Sequence, residues 1–110
     1  MSTDSSLGAF EEQVMLAVLH ARDDAYGMNV RREIEARADR EVAIGAVYAT
    51  LDRLEAKGLV SSRRVLADGP SRRLFDLSAE GARALAETRA MRERLWHGVD
   101  LLRLSMLARM

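Results

Sequence analysis

The stretch that decides the fold reads AIGAVYATLDRLEAKG over residues 43–58 and LVSSRRVLADGPSRRLFDL over residues 59–77. In its first part apolar residues recur at steps of three and four, which predicts a helix with one buried stripe. Gly58 is of the residue type preferred at a left-handed helix end, so the helix is predicted to stop there. The buried stripe comprises Ile44, Val47, Leu51 and Leu54.

The opposite face of this helix is predicted to be exposed, and its first turns have little bulk. A helix with such a face can enter the major groove of DNA, which is about 12 Å wide. Tyr48 is the large exception: its hydroxyl can donate a hydrogen bond to a phosphate, or its ring only borders the core. The exposed face comprises Gly45, Ala46, Tyr48, Ala49, Asp52 and Arg53.

Residues 59–77 have the pattern of a β-hairpin with a polar tip at residues 67–70. Between residues 63 and 73, four arginines stand against one acid, which leaves this segment net positive by three. After a small-faced helix, such a ribbon predicts a wing that contacts phosphates or the minor groove of DNA. A solvated charged face is the alternative. The four arginines are Arg63, Arg64, Arg72 and Arg73.

The composition is that of one helix-rich globular domain of 110 residues, with 48% hydrophobic and 31% charged residues. It has no cysteine, which is compatible with a reducing cytoplasm. Its 17 basic and 17 acidic residues cancel, so net charge alone does not indicate nucleic-acid binding. No apolar run reaches the roughly 18 residues of a membrane span, so no membrane partner is expected. Residues 1–6 lack the features of a secretory signal and are predicted to be a disordered lead-in.

Two helices are predicted before the decisive stretch. The first spans about residues 7–21, behind a serine-rich start that can cap it. The second spans about residues 27–38, with Met28, Val30 and Ile34 inward, and a polar turn follows at residues 39–41. Helices 2 and 3 then form a helix-turn-helix, in which the first helix supports the second against the DNA backbone. The predicted fold is mainly α (α+β), a winged helix-turn-helix domain over residues 7–77.

Residues 78–110 are predicted to form one long C-terminal helix with Ser78 as its N-cap, roughly 45 Å in length. Apolar residues recur in it at steps of four, three and four, as in one partner of a helix pair. We expect a homodimer in which these helices pack on each other or on helix 1 of the partner. The alternative is that the helix folds back on its own domain. The predicted dimerisation residues are Leu95, Val99, Leu102 and Met106.

Trp96 is the only tryptophan and lies within this apolar seam. It is interpreted as interface core or, alternatively, as one of two rings that face a shared cavity and stack on a flat aromatic effector. Glu93, His97 and Asp100 share a helix face, but without a second nearby histidine or a cysteine no metal site is expected. No glycine-rich phosphate loop or activated nucleophile is present, so no catalytic residue, cofactor or enzymatic activity is predicted.

Several motifs of the chain together resemble the PadR family of bacterial transcriptional regulators, over about residues 7–107. They are Tyr26-Gly27-Met28, Gly45-Ala46-Val47-Tyr48 with Leu51, Arg53, Leu54, Glu55, Gly58 and Leu59, then Arg72-Arg73-Leu74-Phe75 and Leu77-Ser78-Ala79-Glu80-Gly81. The resemblance implies a winged helix-turn-helix that dimerises through its C-terminal helix and binds a roughly palindromic operator. It also implies repression, with release by a small aromatic molecule in some members.

Carried over by residue, the resemblance implies DNA contacts by Gly45, Ala46, Tyr48 and the four wing arginines. The chain departs from the family pattern in three places. Ala43 stands where serine is common, Ala46 where threonine is common, and Phe75 where tyrosine is usual. The first two changes remove a cap and a groove-facing hydroxyl, whereas the third matters little if the Phe75 ring is buried.

The sequence therefore predicts a cytoplasmic, dimeric, sequence-specific DNA-binding regulator, a repressor released by a small aromatic effector. The alternative is a winged-helix adaptor that binds a protein partner and not DNA. Salt dependence separates the two, because phosphate contacts weaken steeply as the salt concentration rises. The predicted DNA-binding residues are Gly45, Ala46, Tyr48, Ala49, Arg53, Arg63, Arg64, Arg72 and Arg73.

Overall fold

A computed structural model describes residues 7–66 and 71–110 and has the predicted winged helix-turn-helix architecture. The predicted lead-in and the hairpin tip lie outside the described residues. The elements are α1 Ala9–Ala21, α2 Gly27–Ala38, α3 Ile44–Ala56, β1 Val60–Val65, β2 Arg72–Leu77, α4 Ala79–Trp96 and α5 Leu101–Ala108, with a 3-10 turn at Arg22–Asp24 after α1.

The core lies between α1, α2, α3 and the inner side of the two-stranded sheet. The predicted stripe of α3 is confirmed, since its residues are fully buried apart from Ile44, which is partly buried. Phe75 is also fully buried, so its ring belongs to the core, which is the condition under which the missing hydroxyl matters little. Met28 was predicted to point inward, but it is 41% exposed. Gly58 has the expected left-handed conformation, with φ +76°.

The wing strands β1 and β2 pair antiparallel, with Val60 opposite Leu77 and Val65 opposite Arg72. The segment before α2 pairs briefly with the other side of β2, because Tyr26 forms an antiparallel bridge with Leu74. There the Ala25 carbonyl accepts a hydrogen bond of 3.0 Å from the backbone N–H of Phe75. The wing is therefore attached directly to the start of α2.

The turn between α2 and α3 is fixed by one carboxylate. Asp39 ends α2 in a left-handed conformation, and Glu35 accepts a hydrogen bond of 3.0 Å from the backbone N–H of Val42. The pKa of Glu35 is lowered chiefly by this hydrogen bond. The Arg31 guanidinium adds to the lowering, whereas desolvation opposes it. Val42 is itself buried. The angle between the two helices of the helix-turn-helix thus depends on a bonded and packed turn.

The start of α1 differs from the prediction. The helix begins at Ala9 with Gly8 as its N-cap, and not behind a serine, because Glu11 accepts a hydrogen bond of 3.0 Å from the Gly8 N–H. The other carboxylate oxygen of Glu11 lies 2.7 Å from Lys57 Nζ and 3.9 Å from Arg53 Nε. Glu11 therefore connects the beginning of α1 to the end of α3.

The predicted single C-terminal helix is wrong, because it is divided into α4 and α5. Gly98 has φ +81°, a left-handed conformation that a continuing helix cannot have. Asp100 then caps α5, since its side chain accepts a hydrogen bond of 2.9 Å from the backbone N–H of Arg103. Ser78 caps α4 as predicted, by accepting a bond of 3.0 Å from Gly81 N–H.

The first half of α4 packs on its own domain through Gly81, Ala84, Leu85 and Thr88, and Arg92 pairs with Glu12 of α1 at 2.6 Å. All residues from Met91 to Met110 are exposed, and Leu102, for example, is 72% exposed. The alternative in which the whole C-terminal segment folds back on its own domain is therefore contradicted from Met91 onward, and it holds for the first half of α4. Among the described residues, no helix combines the length and the hydropathy that a membrane crossing requires.

The Glu11 carboxylate is expected to make stability depend on pH. Its pKa is lowered from the ordinary 4.5, chiefly by the hydrogen bond from Lys57, with Gly8 N–H and Arg53 adding to the effect and burial opposing it. Such a group stabilises the fold above pH 4.5, and this contribution is lost as the pH falls through the lower folded-state pKa.

Glu11→Gln should therefore lower the free energy of unfolding by about 1 kcal/mol at neutral pH. The free energies of unfolding of wild type and variant, measured in urea titrations, should begin to converge as the pH falls below 4.5 and should coincide below the lower folded-state pKa. Glu41→Gln, in the exposed turn, is the control. A wild-type to variant difference that stays constant with pH would contradict this prediction.

Candidate nucleic-acid interface

The outward face of α3 is small and exposed, as predicted. Gly45, Ala46 and Ala49 form its first two turns, and all three are exposed. A Cβ placed on Gly45 would meet no atom within 4 Å. These turns therefore form a bare, convex helix surface that can approach another molecule closely.

Tyr48 lies at the edge of this face and packs on the start of α2. A Cβ placed on Gly27 would lie 2.4 Å from Tyr48 Cζ and 2.5 Å from its hydroxyl oxygen. The Tyr48 ring therefore occupies the space that any side chain at position 27 would need. The residue is still 38% exposed. The structure thus combines the packing role and an accessible position for Tyr48.

Arg73 is bound by two carboxylates of α3. Its guanidinium lies 2.9 Å from Asp52 Oδ1 and 2.7 Å from Glu55 Oε1, and it stacks 4.8 Å from the centre of the Phe75 ring. The hydrogen bond that Arg73 donates to Asp52 is the main cause that raises the pKa of Arg73. Its side chain is only 27% exposed. Arg73 therefore attaches the wing to α3, and its charge is balanced within the protein.

Arg53 is also engaged by neighbouring groups. Its Nε lies 3.9 Å from the Glu11 carboxylate, and its Nη2 donates a hydrogen bond of 3.2 Å to Thr50 Oγ1. It thus lies toward the start of α1.

The other wing arginines are more accessible. Arg63, Arg64 and Arg72 are all exposed, and Arg64 Nη1 lies 3.5 Å from the Ser71 hydroxyl. The guanidinium of Arg72 stacks on the Tyr26 ring, 4.4 Å from its centre. Three of the four predicted wing residues therefore present their charge to solvent.

A cleft of about 370 Å³ separates the start of α2 from the wing. We call it the basic cleft. Sequence reasoning missed Tyr26, Asn29 and Arg32 as residues of this surface, because only the bridge between Tyr26 and β2 places α2 beside the wing. Met28 lines the same cleft, which accounts for its exposure. Its main lining residues are Tyr26, Asn29, Arg32, Tyr48, Arg64 and Arg72.

Trp96 lies at the end of α4 and is 57% exposed. Together with Leu95, Val99 and Leu104 it lines an open apolar pocket of about 240 Å³. The break at Gly98 forms this pocket, because it brings α5 back beside the last turn of α4. A continuous helix would have placed Leu104 two turns away from Trp96.

A helix-turn-helix followed by an arginine-bearing wing defines the class of winged helix-turn-helix proteins. The Transcriptional regulator PadR-like family matches residues 15–87, and the chain belongs to this family. The resemblance predicted from the motifs is therefore confirmed.

Individual relatives agree with this assignment. The transcriptional regulator Rv3488 of Mycobacterium tuberculosis is 37% identical over 84 residues, which cover 74% of this chain and 78% of that protein. A PadR-like transcription factor from Bacteroides fragilis has a TM-score of 0.71 at 26% identity, covering 84% of this chain and 88% of the other. A PadR family regulator from Eggerthella lenta has a TM-score of 0.66 at 29% identity, with 81% and 79% covered. These relatives are transcriptional regulators or transcription factors, the class of protein predicted from the sequence.

Arg73→Ala should lower the free energy of unfolding by about 1 kcal/mol, because it leaves Asp52 and Glu55 as an unpaired acidic couple beside the wing. Thermal unfolding measures the effect. Arg64→Ala, its cross-strand neighbour, is the matched control and should leave the midpoint nearly unchanged. Equal midpoints for the two variants would show that the ion pairs of Arg73 do not attach the wing.

Proposed function

We propose that the protein is a homodimeric, sequence-specific DNA-binding regulator that inserts α3 into the major groove. The observation that supports this most is the bare face of α3 beside exposed arginines. Side chains as small as those of Gly45, Ala46 and Ala49 let the helix backbone approach the bases closely. The exposed wing arginines lie where they can bind the flanking phosphates. Since its ligand is DNA, we expect the protein to act in the cytoplasm.

The residues have different proposed roles. Gly45, Ala46 and Ala49 face the groove, and the Tyr48 hydroxyl donates to a phosphate. Arg63, Arg64 and Arg72 bind the backbone in the proposal. We assign Arg73 to positioning, because Asp52 and Glu55 already bind its guanidinium, and we assign the same role to Arg53, because it donates a hydrogen bond to Thr50 and lies 3.9 Å from Glu11.

The dimer is proposed from the exposed apolar surface of α4 and α5. Leu95, Leu102 and Met106 are each more than half exposed, and Val99 lies in the break between them. Apolar patches of this extent on a soluble chain mark interaction surfaces. Leu16 and Leu19 are exposed on α1 and offer a second apolar surface to the partner. A two-fold dimer requires a pseudo-palindromic operator with half-sites about one helical turn, or a multiple of it, apart.

Repression relieved by an aromatic effector is proposed for the Trp96 pocket. A pocket with Trp96, Leu95, Val99 and Leu104 in its wall suits a flat apolar ligand. It lies on the proposed dimerisation surface, so a ligand there would change how the two protomers pack. A change in packing alters the spacing of the two α3 helices, and with it the fit to the operator.

The second candidate function is a protein-binding adaptor. It is favoured by the chemistry of α3, because Gly45, Ala46 and Ala49 carry no group that can form a hydrogen bond with a base edge. A partner protein with an apolar groove could bind such a face. Salt dependence separates this candidate from DNA binding.

Fluorescence anisotropy against the DNA upstream of the protein's own gene, with a shuffled control, tests the main proposal. Binding should prefer the upstream DNA with two protomers per site and should weaken with salt, by about 0.9 log unit per log unit of salt for each phosphate neutralised. Arg63→Ala should lower that slope by about one unit, because one phosphate contact is lost. No binding at low salt would favour the adaptor.

Titration with a panel of flat aromatic compounds, followed by Trp96 fluorescence, tests the effector proposal. A bound ring stacked on the indole should quench the emission, and the same compound should release DNA. Leu104→Ala should weaken binding several-fold, because it opens one wall of the pocket. Emission that does not respond across the panel would reject the pocket as an effector site.

A further inference from the structure

The basic cleft lies beside the face of α3 but is formed mainly by other elements. Its walls are the start of α2 and the two wing strands, and Tyr48 is the residue of α3 that enters it. A DNA strand that borders a groove occupied by α3 would therefore run past its opening.

Unbalanced positive charge lines this cleft. Arg32, Arg64 and Arg72 all contribute to its wall, whereas Arg73 is balanced by Asp52 and Glu55. The lining includes no acid from the described residues, 7–66 and 71–110. Three guanidinium groups around one cavity favour an anion.

Arg32 on the α2 wall and Arg72 on the wing wall are held in place by contacts within the protein. Arg72 stacks on Tyr26 at 4.4 Å, and Arg32 Nη1 donates a hydrogen bond of 2.9 Å to Asn29 Oδ1. Asn29 is itself fixed, since its Nδ2 donates a bond of 2.8 Å to the carbonyl of Asp24. Guanidinium groups that are already oriented lose less conformational entropy on binding, and their planar donors match the oxygens of a phosphate.

We infer that the basic cleft binds one phosphate of the DNA backbone, with Arg32 and Arg72 pairing with its oxygens and Tyr48 donating a hydrogen bond. This inference rests on the proposed function, because the DNA bound by α3 supplies the phosphate. It adds α2 to the contact surface and gives Arg32, outside both the recognition helix and the wing, a direct role.

The test is Arg32→Ala in anisotropy titrations over a salt series, with upstream and shuffled DNA. Loss of one phosphate contact should weaken binding about tenfold for both DNAs and lower the salt slope by about one unit. Arg32→Lys keeps the charge but loses the planar donors, so it should recover the slope and only part of the affinity. Arg37→Ala, on the same helix and paired with Glu33 at 2.9 Å, is the matched control and should resemble the wild type.

The outcomes distinguish failure of the cleft inference from failure of the proposed DNA-binding function. Wild-type binding with an unchanged slope in Arg32→Ala would overturn the cleft inference and leave the proposed function standing. Failure of the wild type to bind any DNA at low salt would overturn both. Inorganic phosphate, titrated at constant ionic strength, examines the other source of a phosphate group. If it bound the wild type in an Arg32-dependent way while the DNA slope stayed unchanged, the cleft would be a site for a free phosphate and not for DNA.

Discussion

The attachment of the wing to the recognition helix is the constraint on which the interface depends. Arg73 of β2 binds Asp52 and Glu55 of α3 and stacks on the buried Phe75 ring. Each ion pair at such a partly exposed position contributes only about 1 kcal/mol or less to stability. Its larger effect is geometric, because it fixes the distance between the bare face of α3 and the free arginines of the wing. The contact between Tyr26 and Leu74 fixes the start of α2 in the same frame.

Burial sets the orientation of α3 within that frame. Val47, Leu51 and Leu54 are fully buried, so the helix cannot rotate without exposing them to water. The hydrogen bond from the Val42 N–H to the Glu35 carboxylate fixes how α2 is oriented relative to α3. The side chains that face outward are therefore determined by those that face inward. This coupling explains how a chain of zero net charge presents a bare helix and a positive edge on one side.

The sequence predicts those parts of the structure whose signals are local. The spacing of Val47, Leu51 and Leu54 was sufficient for α3, and Gly58 for its end. Arg73 was predicted as a DNA contact, and its pairing with α3 was missed. Its carboxylate partners lie 18 and 21 positions away on another element, so local sequence gives no sign of them. The position of Arg32 in the basic cleft was missed for the same reason, because it depends on how α2 packs beside the wing. Such pairings arise from tertiary structure and have no periodicity.

The C-terminal segment shows a different kind of error. Gly98 and Asp100 are local signals for a helix end and a new N-cap, but the apolar spacing from Leu95 to Met106 was given more weight. The seam is in fact shared between α4, the break and α5. The break has a structural consequence, since the pocket around Trp96 is lined by residues on both sides of it.

Chemical protection of the upstream DNA by the bound protein tests the central claim most directly. Dimethyl sulfate methylates guanine N7 in the major groove and adenine N3 in the minor groove, so it distinguishes the two grooves. If the two α3 helices of a dimer lie in the major groove, guanine N7 should be protected in two patches about one helical turn, or a multiple of it, apart. Bound protein that leaves every guanine N7 reactive would contradict the insertion of α3 into the major groove.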